Sequence, residues 1–132
     1  MATQPALSRE ALAAAPASYF RAVDAMDVDA ILEHFADDAT LTVQTDHVTF
    51  TGADEIRRMF DDFTGASVSI FHEIKNIVVE TDARKVATEQ SYIGERVDGT
   101  RNDMHNCNFF DVDADGKFNR VIIWMAGTNP LK

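Results

Sequence analysis

At 132 residues the chain is the size of one ordinary domain, and its 45% hydrophobic content, with nine Phe, supplies a core without staples. A net charge of −10 argues against nucleic acid and against an anionic membrane face, since both need clustered Lys and Arg. Cys107 is the single cysteine, so an internal disulfide is excluded and a reducing, cytoplasmic setting is expected. The opening Met1-Ala2-Thr3-Gln4-Pro5 has no basic or long apolar region, and no apolar run nears the roughly 20 residues that cross a bilayer.

Residues 1–7 read as a loose tail. Ser8 is placed to cap a first helix, with Glu10 in its first turn. Pro16 predicts a kink, or a short helix followed by a longer one. Tyr19, Val23 and Met26 share a face of that second piece, which Phe20 widens. Asp27 caps a further helix in which Val28, Ile31, Leu32 and Phe35 fall at i, i+3, i+4 and i+7. Leu41 and Val43, with Thr45, then alternate with polar neighbours, as do Val48 and Phe50 after Asp46-His47, which predicts a hairpin. After Gly52, Ile56, Met59, Phe60 and Phe63 repeat the helical spacing, and Gly65 ends the helix.

From Val68 the period becomes two. Val68, Ile70, His72 and Ile74 share one face, with Glu73 and Lys75 on the other. Thr81–Arg84 is a turn, Val86–Val97 a second long strand, and Asp98-Gly99 a two-residue hairpin signal. Residues 101–112 form a third strand, Asp113–Gly116 a turn, and Phe118–Ala126 the last strand. Helices followed by a meander of long strands predict a single α+β domain with helices on one face of the sheet.

These residues resemble the nuclear-transport-factor-2-like superfamily, in its SnoaL-like, ketosteroid-isomerase-like and scytalone-dehydratase-like branch. The resemblance is carried by Tyr19, by Asp27-Val28-Asp29-Ala30-Ile31-Leu32, by Phe35-Ala36-Asp37-Asp38-Ala39-Thr40, by Gly52 before Ile56, and by Asp115-Gly116-Lys117. It implies a cone-shaped α+β barrel: N-terminal helices on a strongly curved, mixed but mostly antiparallel sheet around a conical pocket. Phe20, Val43, Phe60, Ile70, Phe110, Val121, Ile123 and Met125 are the expected apolar lining. The resemblance further implies a cofactor-independent lyase, isomerase or cyclase acting on a small hydrophobic or polycyclic carbonyl compound. It also implies a homodimer across the outer sheet face, to which Trp124 would point. A non-catalytic ligand-binding domain and a dimeric interaction module are the rival readings.

Tyr19 falls where the isomerase branch places a donor to a developing oxyanion, and Asn108 near its second donor; that branch's general base falls at Val43, which cannot take a proton. His72 sits on an apolar strand face, where an imidazole serves either as acid/base or as a buried structural histidine. The dehydratase branch carries a histidine there and pairs a second one with an aspartate, roles that His105 and Asp24 would fill. Its hairpin tyrosine has no counterpart between Leu41 and Thr45. Alternation puts His105, Cys107 and Phe109 on one face and Asn106, Asn108 and Phe110 on the other. Asn108 and His105 therefore enter the pocket together only across a bulge. The epoxide-hydrolase branch needs an Asp-Arg-Asp set, and Tyr92, Gln90 and about Ala126 stand in its place. His34 and His47 read as flank and turn residues. Asp111, Asp113, Asp115 and Gly116 imitate a calcium loop but lack its closing glutamate, with Ile122 at that place, so no metal site is expected. Glycine-rich phosphate loops are absent, and no cofactor is expected.

Overall fold

The computed structural model describes residues 7–126. Helix α1 spans Arg9–Asp24, with Ser8 Oγ accepting from the Ala11 N–H at 3.0 Å. Pro16 does not break it. The proline removes one backbone donor, but Leu12 before it and Tyr19, Phe20 and Val23 after it are all buried on one stripe, and that burial keeps the axis continuous. Met26 falls beyond the helix, in the left-handed region at φ 55°. Of the expected tail, residues 1–6 lie outside the described residues, whereas Leu7 is half-buried and packs on the core.

Helix α2 (Val28–Leu32) starts at Asp27, whose Oδ1 accepts from the Ala30 N–H at 3.1 Å. It is shorter than the apolar spacing predicts. Phe35 instead opens strand β1 (Phe35–Val43) and pairs with Phe118. A residue at i+7 faces the core in either conformation, and the neighbouring strand, invisible to local periodicity, decides between them.

A 3-10 turn (Gln44–Asp46) leads to β2 (Val48–Thr51), helix α3 (Gly52–Gly65) and the long strands β3 (Ser67–Glu80), β4 (Lys85–Arg96), β5 (Arg101–Val112) and β6 (Phe118–Trp124). The sheet order is β2-β1-β6-β5-β4-β3, antiparallel except where β1 meets β6 in parallel. The connection from β4 to β5 is longer than a two-residue turn: Arg96 N–H bonds to Thr100 O across it, and Gly99 supplies a φ of 89°. The last strand stops at Trp124. Met125 N–H bonds instead to Thr45 Oγ1 at 2.8 Å, which ties the chain to the 3-10 turn.

Two register shifts in β3, between Ser67 and Ser69 and between Ile74 and Asn76, bend the strand and reset its alternation. Val68 therefore faces outward, 54% exposed, and not inward with Ile70 as the period-two pattern predicts. The result is the cone-shaped α+β fold, with α1 and α3 on the concave face. Phe118 is fully buried, 4.8 Å from Phe110 and 5.7 Å from both Tyr19 and Phe35 between ring centroids.

Phe118→Ala should cost about 3–5 kcal/mol, because it empties a fully buried site that these rings hold rigid. Asp27→Ala should cost about 1 kcal/mol through its lost cap. Urea unfolding midpoints at constant m-value check both.

Candidate functional site

A cavity lies between the two long helices and the concave sheet. It measures about 400 Å3 out to its mouth, of which about 40 Å3 admits the centre of a water molecule. The helix side is apolar: Tyr19, Phe20 and Val23 from α1, Phe60 and Phe63 from α3. The sheet side is mostly polar: His72, Gln90, Tyr92, Asn106 and Asn108, with Ile123 and Met125 completing it. These polar residues are cross-strand neighbours, His72 opposite Tyr92, Gln90 opposite Asn106, and Thr88 opposite Asn108.

His72 is held by Asp24, at the end of α1. Asp24 Oδ1 lies 2.7 Å from His72 Nδ1, and Asp24 Oδ2 accepts from the His72 backbone N–H at 2.9 Å. The carboxylate is an acceptor, so Nδ1 carries a proton, and in the neutral ring the lone pair is on Nε2. Nε2 has no hydrogen-bond partner among the described residues. The ring is stacked 4.7 Å from Phe20 and lies 5.2 Å from Tyr92, so its plane is fixed by packing as well as by the carboxylate.

A buried amide relay runs beside it. Thr88 Oγ1 donates to Gln90 Oε1 at 2.7 Å, and Gln90 Nε2 donates to Asn108 Oδ1 at 2.9 Å. Asn106 Oδ1 accepts from the Ala126 N–H at 3.1 Å. Both asparagine oxygens are thus occupied, and each keeps an amide NH2 with no partner among the described residues. Tyr19 adds another donor. Complete burial among aromatic rings pushes its phenol well above its ordinary pKa, so it stays protonated. Burial also raises the Tyr92 phenol, with Arg96 opposing the shift, and its hydroxyl is buried without a partner. The cavity therefore offers several donors and, in the neutral His72 ring, a basic acceptor at Nε2, against an apolar wall.

The structure brings Tyr19, Asp24, His72 and Asn108 to this cavity or its edge and leaves His105 out. His105 is on the outer face, its side chain 57% exposed, 3.4 Å from Glu89. No bulge falls between residues 101 and 111 in the pairing of β5 with β4, so alternation holds and Asn108 faces inward alone. The expected pairing of Asp24 with His105 is replaced by Asp24 with His72, because the end of α1 reaches β3, the edge strand, and not β5. Of the expected apolar lining, Phe20, Phe60, Ile123 and Met125 border the cavity. Val43, Ile70, Phe110 and Val121 are buried in the core and are not among the residues that border it. Gln90, Tyr92 and Asn106 escaped the sequence reading as lining residues. Their signal was a row of polar residues at inward positions of strands, Thr88-x-Gln90-x-Tyr92 and Asn106-x-Asn108.

No three His, Cys, Asp or Glu side chains converge as a metal set among the described residues. The Asp113 carboxylate closes its own turn, accepting from the backbone N–H of Asp115 and of Lys117, both at 2.9 Å. Cys107 is half-buried, and its thiol is pushed up by burial and by the neighbouring Glu89, which disfavours a nucleophilic thiolate.

Solved structures share this architecture. A protein from Novosphingobium aromaticivorans, provisionally named an aromatic ring hydroxylase, superposes with a TM-score of 0.84 at 24% identity over 98% of this chain and 100% of its own. The epoxide hydrolase/cyclase-like enzyme SalBIII, which acts in pyran ring formation in the polyether salinomycin, gives 0.81 at 22% identity over 90% and 93%. The pinacolase BvnE of Penicillium brevicompactum gives 0.79 at 14% identity over 89% and 86%. At these identities the likeness is one of fold. No curated protein matches the sequence. The family model of the SnoaL-like domain matches residues 17–121, a span that runs from α1 into β6 and contains every polar residue of the cavity. The chain belongs to the SnoaL-like domain family.

Proposed function

We propose that the protein is a cofactor-independent enzyme that performs proton-transfer chemistry on a small, largely apolar carbonyl compound, as a lyase, isomerase or cyclase. One observation carries the reading: an imidazole with its Nδ1 fixed by Asp24 and its Nε2 free opens on the same cavity as the unpartnered Asn108 amide and the neutral Tyr19 phenol. Nε2 of neutral His72 takes a proton from the carbon next to the carbonyl. The electron pair moves onto the carbonyl oxygen, where Tyr19 O–H and Asn108 N–H donate to the enolate. Asp24 stabilises the imidazolium that forms. Returning that proton to another carbon isomerises the compound, and giving it to a leaving hydroxyl eliminates water. Attack of the enolate carbon on a second carbonyl of the same molecule closes a ring, and the alkoxide so formed takes the proton back from the His72 imidazolium. Small size is favoured over a polycyclic body, because the freely accessible part of the cavity is far below the roughly 300 Å3 or more typical of drug-sized ligands.

A second proposal concerns the outer sheet face. Val78, Ala87, Phe109 and Ile122 form a cross-strand row there, and Phe71 sits opposite Ile93. Phe71, Val78, Phe109 and Trp124 are each about half exposed, which supports burial of this face in a homodimer.

Solvent-deuterium exchange at the α-carbon, followed by NMR on acetophenone, 1-indanone and 2-cyclohexenone, tests the chemistry without knowledge of the product. The native protein should accelerate exchange of at least one. His72→Gln should lower that rate by about 10²–10⁴-fold and Asp24→Asn by at least about tenfold, since the amide favours the tautomer that protonates Nε2. Equal rates for the native protein and His72→Gln would end the assignment; a ligand held unchanged with equal affinity by both would favour a binding domain. Sedimentation equilibrium should report a dimer that Phe109→Lys combined with Trp124→Glu converts to a folded monomer.

A further inference from the structure

Strand interiors disfavour glycine, yet Gly94 lies buried inside β4, a strand paired on both sides. Its φ is outside the left-handed region, so the backbone there does not require glycine. What the position requires is space. A Cβ on Gly94 would stand 2.2 Å from the hydroxyl oxygen of Tyr92, 2.7 Å from its Cζ and 3.1 Å from its Cε2. The Tyr92 phenol lies flat along its own strand, over the place a side chain at 94 would occupy.

That placement bears on the cavity. Tyr92 borders it, and its ring packs 5.2 Å from His72 and 6.1 Å from Phe63. We propose that Gly94 is a specificity-determining positioning residue: by carrying no side chain it gives the Tyr92 phenol a berth against β4 and keeps open the space beside His72 into which a single-ring carbonyl compound fits. Only the naming of that compound rests on the proposed function.

The direction of the response to a methyl at 94 follows from what is free to move. The backbone is not: Gly94 is held in register with Ile70 on one side and with Asn102 on the other. The phenol is the far end of a rotatable side chain, and its hydroxyl is buried with no hydrogen-bond partner, so displacing it breaks no bond. Phe63 packs against the ring, and the unfilled volume that Tyr92 borders is the cavity itself. Gly94→Ala therefore turns Tyr92 into the hollow, filling space that a ligand would use, at little cost to folding.

Xenon uptake, read by the chemical shift of dissolved 129Xe with the full-length protein, tests this independently of any reaction, since xenon reports free space against the cavity's apolar helix side. The native protein should bind xenon, and Gly94→Ala should bind at least about tenfold more weakly while its melting temperature moves by less than about 4 °C. The double variant Gly94→Ala with Tyr92→Leu should recover uptake, because leucine lacks the three atoms that a Cβ at 94 would strike. A purely backbone role for Gly94 would give no such rescue. Absence of xenon binding in the native protein, undiminished binding in Gly94→Ala, or failure of the double variant to recover would each overturn the proposal. Acetophenone titrated into the same three proteins should follow the xenon ranking. Xenon behaviour as expected with no acetophenone binding would leave the role of Gly94 standing and remove the small-ketone reading.

Discussion

The bond between Asp24 and residue 72 is the constraint on which the site depends. Strand β3 is at the edge of the sheet, so on its outer side the backbone N–H groups have no strand to bond. Asp24 takes one of them, at His72, with one carboxylate oxygen, and takes the imidazole of the same residue with the other. At the opposite end of α1, Arg9 Nη1 donates to Val79 O of the same edge at 3.4 Å. The lengths agree: Arg9 to Asp24 at about 1.5 Å per helical residue measures about 22 Å, and His72 to Val79 at about 3.3 Å per strand residue about 23 Å. The helix lies antiparallel along the strand it protects. The bond that covers the edge is also the bond that fixes the tautomer of the one imidazole in the cavity.

A second consequence concerns polarity. Buried amides are costly unless paired, and here the pairing is one-sided. The relay from Thr88 through Gln90 occupies the Asn108 oxygen, and the Ala126 backbone occupies that of Asn106. Each asparagine is thereby turned donor-first toward the hollow. A cavity with an apolar helix side and with amide and phenol donors on its polar groups suits an apolar body bearing oxygen acceptors. The fold does not impose this choice: structures of the same fold include a pinacolase and an enzyme of pyran ring formation.

Much of this was legible in the chain. Helix spacing located Ile31, Ile56, Phe60 and Phe63 in the core, and Asp27 and Ser8 announced their caps. Strand alternation put His72 on the covered face and admitted only one of Asn108 and His105 there without a bulge, but it left open which of the two it is. The bulges themselves were not legible. Those in β3 turned Val68 outward without any local signal, because a one-residue slip is set by pairing with β4 and not by composition. Phe35 likewise became a strand residue only because β6, more than eighty positions later, lies beside it.

The amino-acid sequence alone determined most of the helices and strands and the inward placement of His72, because these follow from periodicity, caps and turn chemistry, all local properties. Only the tertiary structure decided that Asp24 serves His72, that Thr88 and Gln90 orient Asn108, and that an empty place at Gly94 accommodates a phenol. Each of these is a distance between side chains on different turns or strands, set by how the helices dock on a bent sheet.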